Sequence, residues 1–183
     1  MLTQLPKTAR DVLATAVYDA DGCRLLEIGI LRLLEGGAEF ALADELAVPF
    51  HGGVIHSHQY SFLLSHEAYV GFPTESDECF LADVNNNQWI GVRRGESVRS
   101  FRVHLTDHEI ERTWRYDVPV LPLLMLIERL LRRDAYYALA AIVTLIRRHD
   151  LDETFTEQLN TAFHAPYLDC LNEVRQVAAH ERD

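Results

Sequence analysis

The chain is 183 residues long, 48% hydrophobic and 25% charged, which suits one globular domain, or one domain with a modest helical appendage. Its formal net charge of -11 at pH 7 repels phosphate backbones and argues against general nucleic-acid binding, although Arg93, Arg94, Arg99 and Arg102 lie close together. No apolar run reaches the ~18 residues of a membrane span, so no spanning helix is expected.

The first residues, Met1-Leu2-Thr3-Gln4-Leu5-Pro6-Lys7, carry no basic stretch followed by an apolar core. No secretory signal is read there, and the cytoplasm is the expected compartment. Residues 7–18 read as a short helix with Val12, Leu13 and Val17 inward, closed by the turn Asp19-Ala20-Asp21-Gly22. Residues 23–34 are a β candidate, although their leucine content also permits a helix. Their centre, Leu25-Leu26-Glu27-Ile28-Gly29-Ile30-Leu31, is apolar on both faces of a strand except at Glu27. After Glu35-Gly36-Gly37, residues 38–42 read as the returning strand. Pro49 and Gly52-Gly53 lead into a strand that carries His56 and His58.

A long loop is expected over 59–74 and a short helix over 76–84, with a turn at Asn85-Asn86-Asn87. Residues 88–93 and 97–105 form the arms of a hairpin around Gly95-Glu96. In the second arm Phe101, Val103 and Leu105 share one face, and Arg102 and His104 the other. Residues 106–116 read as the start of a capped helix.

The character changes at Val118-Pro119, where β signals give way to helical ones. Helices are expected over 121–133, ending on Arg132 and Arg133, which suit the dipole, and over 135–148 behind Asp134. A third is capped by Asp150 or Asp152 and carries Leu151, Phe155, Leu159 and Phe163. A fourth starts at Pro166 and carries Leu168, Leu171 and Val174. The expected fold class is α+β, a mixed β-sheet flanked by helices over residues 1–117, with an all-α extension over 118–183. That tail is expected to pack on the α+β unit, with a protein partner or a second copy of the chain as the alternative occupants.

The run Gly52-Gly53-Val54-Ile55-His56-Ser57-His58 carries the candidate chemistry. On a strand, residues two apart point to the same side, so both imidazoles would face one metal ion. Two imidazoles, one carboxylate and an open position form a catalytic zinc shell. A histidine on a strand is nevertheless more often a core or surface residue than a ligand. Asp77, after Phe72-Pro73-Thr74-Glu75-Ser76, is the candidate third ligand; plain complementation of a helix dipole is its alternative role. Glu27 is costly to bury unless paired, and a general base facing a metal-bound water would explain its position. The alternatives are a solvent-facing strand edge or a pair with Arg24 or Arg32. Cys23, Cys79 and Cys170 are odd in number and lack CxxC spacing, which argues against a cysteine-rich zinc site and a disulfide framework and fits reduced thiols. There is no P-loop, no GxGxxG before a helix and no GxSxG.

Glu27-Ile28-Gly29-Ile30-Leu31, Gly53-Val54-Ile55-His56-Ser57-His58 and Pro73-Thr74-Glu75-Ser76-Asp77 together resemble the JAB/MPN (JAMM) zinc metalloprotease pattern, of the prokaryotic, deubiquitinase-like type. That pattern has a strand-borne Glu, a His-x-His and a Pro-Ser-x-x-Asp after a loop. The resemblance covers roughly residues 8–117 and implies a JAB/MPN-like domain over 1–117. It implies zinc held by His56, His58 and Asp77, Glu27 as the general base, and Thr74 where the family has the serine that stabilises the oxyanion. It also implies hydrolysis of peptide or isopeptide bonds after the tail of ubiquitin or a ubiquitin-like protein. The chain departs from the pattern at Gln59, where the family has Pro, in a longer loop before Asp77, and in Thr74 for Ser. His66, beside Glu67 in that loop, is the alternative third ligand, and His51 a weaker one. The expected function is therefore a zinc-dependent (iso)peptidase. A non-catalytic binding or assembly module on the same fold is the alternative, and a metal hydrolase of another amide is a third.

Overall fold

The computed structural model describes residues 4–17, 20–55, 60–70, 78–83, 88–93, 96–133 and 135–180. Two helices open the chain: α1 (Lys7–Ala16) and α2 (Ala20–Glu35). Helix α2 replaces the strand expected over 23–34. Its buried residues are Gly22, Leu25, Leu26, Gly29, Ile30 and Leu33. Their spacing of three and four residues makes one stripe on a helix, and no strand could bury that set on one face. Glu27 lies off the stripe. Each fully buried Leu or Ile contributes about 1.5–3 kcal/mol, so the stripe decides the segment's structure over any local preference.

The strands are β1 (Phe40–Ala43), β2 (Ser61–Ser65), β3 (Glu78–Asp83), β4 (Gln88–Arg93), β5 (Glu96–Thr106), β6 (Thr113–Arg115) and β7 (Val118–Val120). They form one seven-stranded mixed sheet in the order β3-β4-β5-β2-β1-β7-β6. Strands β3, β4 and β5 run as an antiparallel meander, which contains the expected hairpin. Strand β2 lies parallel to β5 and antiparallel to β1. Strand β1 is parallel to β7, which pairs antiparallel with β6. The fold is α+β.

Register sorts the two faces of the central strands. Leu42 pairs with Phe62, Phe40 with Leu64, and Phe62 with Val103, so these side chains share one apolar face with Phe101, and all of them are buried. Ser61 pairs with Arg102 and Leu63 with His104 on the opposite, more polar face. Short helices α3 (Asp44–Ala47) and α4 (His66–Val70) leave the ends of β1 and β2.

The loop expected over 59–74 therefore contains β2 and α4, and the helix expected over 76–84 contains strand β3 instead. The capped helix expected over 106–116 is absent. An irregular stretch leads there into β6, and β7 follows Asp117, where β signals were expected to end. A division at 117/118 falls inside the β6–β7 turn, whose two central residues, Tyr116 and Asp117, both have positive φ. Two positive φ values in a two-residue hairpin loop are the signature of a type I′ turn.

Helices α5 (Leu123–Leu131), α6 (Tyr136–His149) and α7 (His164–His180) complete the chain. Between α6 and α7 the expected third helix is two 3-10 turns, Glu153–Gln158 and Thr161–Phe163. Asp152 caps the first of them by accepting the Thr154 amide. Helix α7 buries Tyr167, Cys170 and Leu171, while Leu168 stays partly exposed. Leu126, Ile127, Leu130, Ala138, Ile142 and Leu145 join the same core cluster as the sheet. Cys23 and Cys170 are free thiols, and burial pushes that of Cys170 up to about 11. Among the described residues no helix is long and apolar enough to cross a membrane.

Candidate functional site

Glu27 is the one residue of the expected catalytic set that is described. It sits on helix α2, not on a strand. Its Oε1 accepts the Leu5 backbone N–H at 3.0 Å and lies 3.9 Å from Arg10 Nε. The carboxylate thus ties the segment before α1 to α2, and neither Arg24 nor Arg32 is its partner in those contacts. His56, His58, Thr74 and Asp77 lie outside the described residues. Ile55 and Tyr60, which flank the first two, are both buried. Among the described residues there is no group of three His, Cys, Asp or Glu side chains placed to hold a metal ion.

The two competing ligands are not brought together either. His66 Nδ1 pairs with Asp107 Oδ1 at 2.8 Å, and the two side chains are 57% and 83% exposed. His51 is buried, and its Nε2 meets the Leu121 carbonyl oxygen at 2.8 Å. That contact requires the proton on Nε2, which leaves Nδ1 as a buried lone pair without a partner among the described residues. His149 Nε2 in turn donates to the His51 carbonyl oxygen at 2.9 Å. Burial lowers the His51 pKa, the bond to Leu121 opposes that, and the charges of Arg115 and His149 lower it further.

The dense polar constellation lies instead where β1 ends. Asp44 turns the chain out of β1 with φ of 50°, a left-handed conformation that Asp tolerates better than most residues. It is fully buried on the polar side of the sheet. Its Oδ1 accepts Arg129 Nε at 2.7 Å, and its Oδ2 accepts Arg129 Nη2 at 3.1 Å and Arg133 Nη2 at 2.8 Å. His104 Nε2 lies 3.0 Å from Oδ2 but lacks the alignment of a full hydrogen bond. Arg133 also donates to Glu45 Oε1, while Glu45 Oε2 is buried without a partner among the described residues. Burial pushes the Asp44 carboxyl up, but the approach of His104 and the bonds and charges of Arg129 and Arg133 outweigh it. They hold the carboxyl well below the usual carboxylate range.

Arg129 lies in the last turn of α5 and Arg133 just beyond its C-terminal cap, Arg132, whose αR conformation carries the helical turn on, and both reach one carboxylate. Asp44 and Glu45 supply two carboxylates to the cluster, and Arg129 and Arg133 supply two guanidinium groups. It clamps α5 to the sheet. Sequence reasoning placed His104 on the polar face of its strand but passed over the carboxylates. The signal available was Ala43-Asp44-Glu45-Leu46, two acids directly after a buried apolar strand.

No protein-family model, no curated protein and no solved structure matches this chain. The resemblance to the JAB/MPN pattern therefore rests on the quoted residues alone.

A separate cavity of about 680 Å³ opens where the C-terminal end of α2 meets α4. Arg32, Glu35, Glu39, Ser65 and Glu67 supply its polar lining. Glu39 Oε1 is engaged by the Ile110 amide at 3.0 Å, and Ser65 Oγ by the Ala68 amide at 3.2 Å. These groups stabilise the loops that form the cavity wall.

Proposed function

We propose that this chain acts as a non-catalytic protein-binding or assembly module. The observation that carries this reading is the engagement of Glu27. A general base must be free to reach a water at hydrogen-bond distance, whereas this carboxylate sits on a helix and holds the Leu5 amide beside Arg10. The described polar groups with the strongest interactions, Asp44, Arg129 and Arg133, are likewise spent on one another.

The second reading is a zinc-dependent (iso)peptidase acting at the tail of a ubiquitin-like protein. The order of His56, His58, Thr74 and Asp77 in the sequence favours it. His56, His58 and Asp77 would hold the zinc, which when bound acidifies a water and polarises a carbonyl. For Glu27 to act as base there, its Oε2 would have to reach the water while Oε1 holds the Leu5 amide.

Elemental analysis of the purified chain supplied with zinc at neutral pH, beside His56→Ala/His58→Ala, separates the two. A ubiquitin-like fusion substrate completes the test. The module reading expects no zinc retained through the two histidines and no cleavage. About one zinc per chain, lost in the double variant, together with cleavage that Glu27→Gln abolishes, would overturn it in favour of the peptidase.

A further inference from the structure

Strand β6 closes the sheet on one side, and no described strand lies beyond it. The direction of its main-chain groups follows from its neighbours. Leu121 N–H donates to the Leu42 carbonyl, so on β7 the groups of residues 119 and 121 face β1, and those of Val118 and Val120 face β6. Val118 pairs with Arg115 and Val120 with Thr113. Arg115 and Thr113 therefore turn their N–H and C=O inward, and Trp114 between them turns its own outward to the open edge. Pro119, opposite Trp114, has no N–H, which fits that alternation.

The same edge carries two large exposed aromatics, Trp114 at 56% and Tyr116 at 48%. Unpaired edge groups template the addition of another strand, and Trp and Tyr are the residues most enriched where proteins dock. Glu111, Arg112 and Arg115 are exposed, and none forms an ion pair with another described residue.

These charges decide the occupant. Two copies of β6 can pair antiparallel only in registers that set outward-facing residues opposite each other. A twofold axis at Trp114 satisfies this but puts Glu111 opposite Asp117, like charges twice over. An axis at Arg112 sets two arginines face to face. An axis at Thr113 puts Glu111 of each copy opposite Arg115 of the other, and the Arg112 guanidinium opposite the Trp114 indole. In that register the outward main-chain groups of Trp114 meet the backbone of Arg112, the residue just before β6, in both copies. We propose that the open edge of β6 is a self-association site. There, two copies of this chain join their sheets through Glu111, Arg112, Thr113, Trp114 and Arg115 about a twofold axis at Thr113. This deepens the assembly reading by naming a second copy as the partner.

An interface of so short a strand belongs to the weak class. The test is sedimentation equilibrium of the full chain from about 10 µM to about 500 µM, the range in which weak interfaces of this kind associate. Arg115→Glu turns two attractions into two repulsions and should weaken self-association about tenfold, and Glu111→Arg should do the same. The double variant Glu111→Arg/Arg115→Glu restores opposite charges and should return to within about threefold of the parent. Circular dichroism verifies that all three remain folded. A parent that stays monomeric throughout the range overturns the proposal. So does self-association that neither single reversal weakens, or that the double reversal fails to restore. Such a failure leaves the module reading standing, because that reading is decided by zinc content and cleavage.

Discussion

Arg133→Met removes the cation on which Glu45 depends. Glu45 is 2% exposed, its Oε1 is held by Arg133, and its Oε2 has no partner among the described residues. Arg133 is itself mostly buried, at 16% side-chain exposure. Asp44 keeps both bonds from Arg129 in the variant, so the damage concentrates on Glu45. Stranding one partner of a buried pair costs about 3–5 kcal/mol, a large share of the ~5–15 kcal/mol that holds a domain folded. With a urea slope of ~2 kcal/mol per molar, the unfolding midpoint should fall by about 1.5–2.5 M. Arg133→Met/Glu45→Leu removes both charges and fills the space with apolar atoms, and should recover most of that loss. Urea titrations of the parent, the two single variants and the double variant close the cycle. A loss under ~1 kcal/mol for Arg133→Met, the size typical of an exposed pair, would refute the buried clamp. Equally damaging would be a double variant as unstable as the sum of the singles.

Three further outcomes follow from other sites. The folded site resists protonation of His51, so below about pH 6.5 the unfolded chain binds more protons and stability declines; above that pH the contribution is complete. His51→Gln keeps a donor for the Leu121 carbonyl and should flatten the fall in thermal stability below about pH 6.5, whereas an unchanged slope would assign the acid limb to other groups. A Cβ at Gly53 would lie 2.7 Å from Val48 Cγ1 and 2.9 Å from Leu145 Cδ2. Gly53→Ala should therefore cost about 1–3 kcal/mol in a thermal melt, and a neutral result would mean that these side-chain tips yield freely. Glu27→Ala should speed hydrogen exchange at the Leu5 amide and cost about 1–3 kcal/mol, as expected for a hydrogen bond to a charged acceptor. An unaltered Leu5 amide would show that the carboxylate does not secure that segment.

The local grammar of the chain carried a good part of this fold. Helix α1, the β4–β5 hairpin, the two helices α5 and α6 and the Asp152 cap were legible because each is decided by contacts between residues near in sequence, and strand β1 was legible as a short apolar run after a glycine turn. So was the burial of Phe101 and Val103 against the polar side of Arg102 and His104. Helix α2 was legible too, in the three-and-four spacing of Gly22, Leu25, Leu26, Gly29, Ile30 and Leu33. A two-residue period masked it, because a helix rich in Leu and Ile also reads as apolar on both faces of a strand. Strand β2 was missed because its partners β1 and β5 are distant in sequence, whereas β3, β6 and β7 pair with sequence neighbours and were masked because their segments read as helical or mixed.

By itself, then, the sequence determined an α+β chain with an apolar helical tail and a formal net charge of -11. Only the tertiary structure decided that Arg129 and Arg133 converge on Asp44 and Glu45 across more than eighty residues of sequence. It also decided that Glu27 engages the Leu5 amide and that β6 lies at the edge of the sheet among the described residues. The reason is physical: the cost of burying a charge or leaving a strand edge unpaired depends on which groups arrive beside it, and that is settled by packing rather than by sequence neighbours.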